Sequence, residues 1–340
     1  MEILRFILSI CVVLTHIDFL NGTEFAYLKL MGGVAVTSFF ILSGYIIPKA
    51  LDLNYFKRGG VLMGGGRYIA NRALRVYPMY WLAILIVFID YVYLNKTFLY
   101  DGRFDFSSLQ TLSFNLFLPP FTDLTKSLYI PVAWSLKVEF AWYVLAPIIF
   151  SILYLLPNRI LKYKIRTLAI LALIATYLFV KNEISGLLGD MSGYTLFFLS
   201  GALLYAVESD FNFYLRGYFA SLVVISIGIY SGIIGINVQI TLTLLTLVVI
   251  SAQKKSFSKK SQFIRFLGDI SYPIFILHLT YVNNAYLKTY QIISPYFNSS
   301  DSLLTVLCIT SSLAFVILQA SIVHLLFGRL IDSIRVRIRK

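Results

Sequence analysis

Apolar segments of about twenty residues recur along the whole sequence, and each could cross the roughly 30 Å hydrocarbon core of a bilayer as a helix. The composition agrees, because 59% of the 340 residues are hydrophobic and only 13% are charged. A soluble domain would carry about one-quarter charged residues. Lipid offers no partners for backbone N–H and C=O groups, so such segments form helices. The sequence therefore predicts an all-α, polytopic membrane protein.

The apolar segments predict about ten transmembrane helices. They lie near residues 3–20, 31–51, 79–95, 132–156, 165–180, 191–207, 217–233, 236–252, 268–287 and 303–326. The first segment is expected to stay in the mature protein, because Arg5 and His16 interrupt it and no small-residue cleavage site follows. Residues 1–328 are predicted to form a single transmembrane domain and 329–340 a basic cytoplasmic tail. The longest polar stretch, 96–130, is predicted to be one external loop.

The net charge of +13 is explained by membrane topology, so no nucleic-acid partner is expected. Lysine and arginine are concentrated in every second predicted loop. The basic segments contain Lys57, Arg58, Arg67, Arg72 and Arg75; Arg159, Lys162, Lys164 and Arg166; Lys254, Lys255, Lys259, Lys260 and Arg265; and Arg329, Arg335, Arg337, Arg339 and Lys340. By the positive-inside rule these segments face the cytoplasm. Both termini are then cytoplasmic, which requires an even number of spans.

Ionisable side chains inside the predicted spans are candidates for function, since each costs roughly 2.5–3.5 kcal/mol to insert. Arg5 and His16 are eleven residues apart. A helix advances about 100° and 1.5 Å per residue, so they share a face about 16 Å apart along the axis. That face would carry a cation near the cytoplasm and an imidazole near the outer side. Two simpler interpretations remain open, a histidine hydrogen-bonded within the bundle and an arginine that anchors the helix end.

Further polar residues occur at regular helical spacings. Arg72 and Arg75 stand three residues apart in a predicted short helix of the first cytoplasmic loop, and paired guanidinium groups favour phosphate. Topogenic charge and binding of anionic lipid would also explain this pair. Glu139 falls in the outer half of the fourth predicted span, with Ser135 one turn before it. His278 lies near the middle of the membrane in the ninth span.

These residues belong to five short motifs whose order and spacing resemble those of the acyltransferase-3 family of bacterial membrane acyltransferases, over nearly the whole chain. The motifs are Arg-x10-His (Arg5, His16), Arg-x-x-Arg (Arg72, Arg75), FFxxSGY (Phe39, Phe40, Ser43, Gly44, Tyr45), WSLxxE (Trp134, Ser135, Leu136, Glu139) and GxxSYxxxxxH (Gly268, Ser271, Tyr272, His278). Two residues depart from the family pattern. Lys137 stands where a small or neutral residue is usual, and Phe140 follows Glu139 where a second acidic residue is common.

The resemblance implies that an acyl group, usually acetyl from acetyl-CoA, moves to a hydroxyl of an envelope carbohydrate at the bacterial inner membrane. The acceptor would be O-antigen, capsule or exopolysaccharide, free or lipid-linked. His16 is expected to be the general base, since imidazole titrates close to working pH. Glu139 is expected to orient the imidazole or bind the acceptor, and Asp18 competes for that role.

The other motif residues are expected to hold the two substrates. The residues expected to bind the phosphates of acetyl-CoA are Arg5, Lys49, Arg72 and Arg75, and those expected to bind substrate are Ser43, Tyr45, Trp134, Ser135 and His278. Neither a metal nor a permanently bound cofactor is expected, and membrane lipids are the remaining partners.

The sequence leaves the mechanism open and allows two alternative functions. Direct transfer and an acyl-histidine intermediate are both compatible with His16. A transporter of a lipid-linked sugar or a small solute would also place buried Arg, Glu and His along a substrate path. Against a transporter, no pair of similarly interrupted spans occurs in two matching halves. A receptor or scaffold would use the same residues only as structural contacts.

Overall fold

The computed structural model describes residues 2–17, 28, 31–89, 108–119, 128–155, 191–206, 261–297 and 302–339. Within these ranges it contains nine α-helices and no β-strand. The helices are α1 (Glu2–Thr15), α2 (Met31–Ala50), α3 (Lys57–Ile89), α4 (Leu109–Phe117), α5 (Ala133–Leu155), α6 (Met191–Ala206), α7 (Gln262–Ile293), α8 (Ser302–Val323) and α9 (Arg329–Arg339). Short π-helical segments, Leu51–Phe56 and His324–Gly328, follow α2 and α8. The predicted all-α class is confirmed for this part of the chain.

Five of the described helical segments are long and apolar enough to cross a membrane. They are Met31–Phe56, Gly60–Ile89, Ala133–Ile152, Gln262–Tyr296 and Ser302–Gly328, and they correspond to the second, third, fourth, ninth and tenth predicted spans. Helices α1 and α6 match the first and sixth predicted spans but have only 14 and 16 residues. The spans predicted at 165–180, 217–233 and 236–252 lie outside the described residues. The number of ten spans and the cytoplasmic termini stay predictions.

The third predicted span differs most from the structure. Helix α3 begins at Lys57, and Gly60, with a φ of 69°, makes a kink that a residue with a side chain would rarely adopt. The basic segment that was predicted to be a loop with a short helix is therefore continuous with the span. A helix of about 30 residues is about 45 Å long, so it can cross a bilayer core and extend beyond it. Arg72 and Arg75 lie within this long helix.

Two polar stretches also contain helices. Within the predicted 96–130 loop, α4 begins after Ser108, whose hydroxyl oxygen accepts a hydrogen bond from the Thr111 N–H at 3.3 Å. It ends at Leu118, which has a left-handed φ of 43°. The predicted basic tail forms α9, where the helical period places Leu330 and Ile334 on one face. The cap at Ser108 explains why α4 begins where it does, and the apolar face explains why the basic tail is helical.

The described helices group into two compact units. The first contains α1, α7, α8 and the part of α3 from Val76 onwards. Helix α7 packs against both α1 and α8, and the Tyr272 hydroxyl donates a hydrogen bond to the Val76 carbonyl at 2.9 Å. Apolar side chains with little or no exposure form its core, including Val13, Ile17, Ile270, Ile274, Val282, Leu304, Cys308 and Val316.

The second unit contains most of α2, α3 as far as Arg75, and helices α4 to α6. Helices α2 and α6 approach closely at two glycines. A Cβ atom at Gly44 would overlap the backbone of Phe198, and one at Gly201 would overlap the backbone of Ile41. Trp142 of α5 stacks on Phe198 with ring centroids 4.0 Å apart. Small residues thus allow the close helix contacts that packing in lipid requires.

Gly44→Val should destabilise the protein, because the new side chain meets backbone atoms rather than a flexible side chain. Overpacking of this kind costs about 1–3 kcal/mol. The matched control is Gly66→Ala in α3, where a Cβ meets nothing within 4 Å and where alanine should stabilise the helix by about 0.8–1.0 kcal/mol. Thermal unfolding of the purified protein in detergent measures both. A Gly44→Val protein that melts with the wild type would contradict the close helix crossing.

Candidate functional site

In the first unit, His16 lies in the turn that ends α1. Its backbone N–H donates to the Val13 carbonyl at 3.0 Å, and its side-chain Nδ1 lies 2.8 Å from the Val12 carbonyl oxygen. The last carbonyls of a helix have no partner within the helix, so the imidazole caps one of them. A carbonyl only accepts hydrogen bonds, which means that Nδ1 carries the proton. The lone pair of the neutral ring is therefore on Nε2.

His278 of α7 contacts the His16 ring directly. It is fully buried, with 0% of its surface exposed. Its Nε2 lies 3.3 Å from Nδ1 of His16, and the two ring centroids are 5.0 Å apart. The structure thus brings together two predicted site residues that are separated by 262 positions in the sequence. Arg5 is half-buried on α1, and Asp18, the predicted competitor for the Glu139 role, lies outside the described residues.

In the second unit, Glu139 joins two helices. Its carboxylate accepts hydrogen bonds from the Ser43 hydroxyl of α2, at 3.1 Å, and from the Tyr143 hydroxyl of its own helix α5. Charge-assisted hydrogen bonds of this kind are about twice as strong as neutral ones. Ser43 and Glu139 were predicted separately from two motifs, and the structure places them in contact.

Arg72 packs between two aromatic rings of the same unit. The guanidinium carbon lies 5.1 Å from the ring centroid of Tyr68 and 5.5 Å from that of Tyr143, within the range of cation–π attraction. It also interacts electrostatically with Glu139. Its Nε is buried and has no hydrogen-bond partner among the described residues. An unsatisfied buried donor costs about 1–3 kcal/mol.

Sequence reasoning missed the two tyrosines beside Arg72. Tyr68 precedes Arg72 by four residues and Tyr143 follows Glu139 by four residues. Residues four apart are neighbours on a helix surface. The helical period could therefore have found each ring next to its charged neighbour, but it could not have shown that Tyr143 of α5 lies against Arg72 of α3.

The remaining predicted residues of this unit are held by local contacts. Lys49 donates a hydrogen bond to the Tyr45 hydroxyl at 2.7 Å and lies 4.8 Å from the centre of that ring. The Trp134 ring lies 5.0 Å from the Tyr194 ring, and the Ser135 hydroxyl donates to the Val132 carbonyl at 2.8 Å. Tyr45 and Lys49 thus form a pair on α2, whereas the Ser135 hydroxyl caps its own helical turn.

Comparison with known proteins agrees with the motifs. A family model described as an acyltransferase domain matches residues 1–320, a range that includes every predicted site residue of both units. No curated protein and no solved structure matches the chain significantly.

Glu139→Ala should lower the free energy of unfolding by about 1–3 kcal/mol, because it leaves the Ser43 and Tyr143 hydroxyls without their acceptor. Glu139→Gln keeps an acceptor oxygen and should cost less. Denaturant or thermal unfolding of the purified variants measures the difference. The assigned hydrogen bonds would be wrong if the alanine variant were as stable as the wild type.

Proposed function

The chain belongs to the acyltransferase-3 family of membrane acyltransferases, and from that premise we propose that it transfers an acetyl group from acetyl-CoA to a hydroxyl of a cell-envelope carbohydrate. The acceptor class is O-antigen, capsule or exopolysaccharide, free or lipid-linked, and the site of action is the bacterial inner membrane. The observation that carries the proposal is the state of His16. Its Nδ1–H is engaged by the Val12 carbonyl, so its Nε2 has the lone pair that a general base needs.

In the proposed reaction, Nε2 of His16 takes the proton of the acceptor hydroxyl while the hydroxyl oxygen bonds to the acetyl carbon. The carbon–sulfur bond of the thioester breaks, and the CoA thiolate leaves and takes the proton from His16. The products are an acetyl ester and CoA with a free thiol. An acyl-histidine route would use the same nitrogen as nucleophile. Because His16 follows the C-terminus of α1, the helix dipole favours the positive charge that the ring gains.

For Glu139 we propose acceptor binding rather than orientation of the imidazole. The Nδ1 side of His16 already contacts the Val12 carbonyl and His278, which supports this choice. A carboxylate that accepts from Ser43 and Tyr143 keeps further lone pairs for a sugar hydroxyl. The other residues of this unit that were predicted to bind substrate keep that role as a proposal; they are Ser43, Tyr45, Trp134 and Ser135.

For the donor, we propose that Arg72 and Arg75 bind the phosphates of acetyl-CoA. Two observations support this. The buried Nε of Arg72 has no hydrogen-bond partner in the described part of the chain, and guanidinium groups bind phosphate through several hydrogen bonds at once. Acetyl-CoA is a cytoplasmic metabolite, and the positive-inside pattern puts this end of α3 on the cytoplasmic side. The donor roles of Arg5 and Lys49 stay predictions.

His16→Ala should reduce acyl transfer by about 100-fold or more, the range expected for loss of a general base. The matched control is His324→Asn, which changes a half-buried histidine whose ring packs on Phe266 with a 5.9 Å centroid separation. Transfer of label from acetyl-CoA to carbohydrate in isolated membranes measures activity, and immunoblotting measures accumulation. Wild-type transfer by the alanine variant would exclude His16 as the base.

A double Arg72→Lys, Arg75→Lys variant separates donor binding from topology. It keeps the cytoplasmic charge but loses the planar guanidinium geometry, so the affinity for acetyl-CoA should fall while membrane orientation stays the same. Each hydrogen bond lost to a charged group costs about 1.5–3 kcal/mol. Calorimetric titration measures affinity and cysteine labelling of the loops measures orientation.

Arg67→Lys is the control for that experiment, since it makes the same replacement in the same helix. It should bind acetyl-CoA like the wild type. If the double variant also bound acetyl-CoA with unchanged affinity, the arginine pair would be a topological anchor and not a donor site.

A further inference from the structure

The two rings of the first unit form a hydrogen-bonded chain that fixes where each proton sits. His16 Nδ1 lies 2.8 Å from the Val12 carbonyl, and His278 Nδ1 lies 2.8 Å from the Phe275 carbonyl. Because both carbonyls are acceptors only, each ring carries its proton on Nδ1. Nε2 of the neutral His278 ring is then an acceptor, and it lies 3.3 Å from the Nδ1–H of His16.

Among the neutral tautomers only this one satisfies all three contacts, with the single Nδ1–H of His16 shared between the Val12 carbonyl and Nε2 of His278. A proton on Nε2 of His16 would leave the lone pair of Nδ1 facing the Val12 oxygen and the His278 lone pair. Acceptors that face one another without a proton between them are costly, also in this partly buried site. The backbone of α1 and the side chain of His278 thus favour the same tautomer of His16, the one that is basic at Nε2.

We infer that His278 is a positioning residue for His16 and not a substrate-binding residue. It fixes the orientation and tautomer of the His16 ring, and it accepts from Nδ1–H when His16 becomes protonated at Nε2. This inference rests on the proposed function for its catalytic consequence. Complete burial of His278 favours it, because a side chain with 0% exposure has no surface open to a substrate.

There is a physical reason why the partner of His16 is a neutral imidazole and not a carboxylate. A carboxylate in the place of His278 would stabilise a protonated His16 more strongly, but its negative charge would have to be buried among apolar helices, which is costly. An imidazole whose Nδ1–H is bonded to its own helix supplies an acceptor at no cost in net charge. The hydrogen bond to Phe275 sets its direction, as an outer partner does for the histidine ligands of metal sites.

A spectroscopic test does not depend on activity. The chain has only three histidines, so ¹⁵N-histidine labelling of the full protein in lipid gives a spectrum that His278→Leu and His324→Asn variants can assign. Nitrogen shifts should place the proton on Nδ1 in both His16 and His278, with a through-space correlation between His16 Nδ1 and His278 Nε2. A proton on Nε2 of His16, or a missing correlation, would overturn the inference even if the wild type is an active transferase.

A kinetic test compares two substitutions of similar size. His278→Gln restores an acceptor oxygen near the position of Nε2, whereas His278→Leu does not. The leucine variant should lose at least about tenfold in kcat, in line with the loss of an outer partner of a functional histidine, with little change in KM for either substrate. The glutamine variant should recover a large part of this loss.

Two results would overturn the positioning role. An acceptor KM that rises with unchanged kcat would make His278 a substrate-binding residue. Equal losses in both variants would make it a packing residue. Absence of acetyl transfer by the wild type would refute the proposed function alone, since the nitrogen shifts would still report the histidine pair.

Discussion

The main constraint on this structure is that polar groups within apolar helices must find partners inside the protein, because lipid offers none. Many serine and threonine hydroxyls of the described helices meet this requirement within their own helix. Ser9 donates to the Phe6 carbonyl, Ser271 to the Gly268 carbonyl and Ser312 to the Cys308 carbonyl. The contacts that define the candidate site are of another kind, since they join side chains of different elements. A side chain satisfied by its own turn needs no other residue, whereas a pair that bridges helices constrains both of them and is a better guide to function.

Sequence predicted the helical class and five of the described spans, because these depend on apolar length, and its motifs contain several polar residues that the structure brings into contact. It misplaced the boundary of α3, where basic residues suggested a loop. The error has a physical cause: Arg72 is covered by the Tyr68 and Tyr143 rings, and hydropathy counts a guanidinium as exposed whether or not aromatic rings cover it. The contact between His16 and His278 could not be predicted either, because no helical period relates residues 262 positions apart. Sequence could identify both histidines but not the hydrogen bond between them.

The two units differ in how their buried polar side chains are stabilised. In the second unit Arg72 and Glu139 attract each other electrostatically. Aromatic rings contact Arg72, and the Ser43 and Tyr143 hydroxyls donate hydrogen bonds to Glu139. In the first unit a pair of neutral imidazoles satisfies the observed contacts and needs no counter-charge. For the proposed base, which accepts a proton only during turnover, such a neutral pair avoids a permanent cost of desolvation.

This difference between a charged and a neutral set of side chains supports the different roles proposed for the residues of the two units. The proposed phosphate-bearing donor would bring several negative charges, which suits a permanent guanidinium whose Nε has no partner in the described residues. The proposed acceptor hydroxyl is neutral until its proton is removed, which suits an imidazole with its lone pair on Nε2. The tautomer of His16 depends on a backbone carbonyl one turn away and on one buried ring from α7. Small shifts of α1 relative to α7 would therefore weaken the contact between the two rings, because hydrogen bonds weaken steeply with angle and distance. Val13, Ile17, Ile270 and Ile274 pack together in the apolar core of the same unit, and this packing stabilises the position of α1 against α7 that brings the two rings within hydrogen-bonding distance.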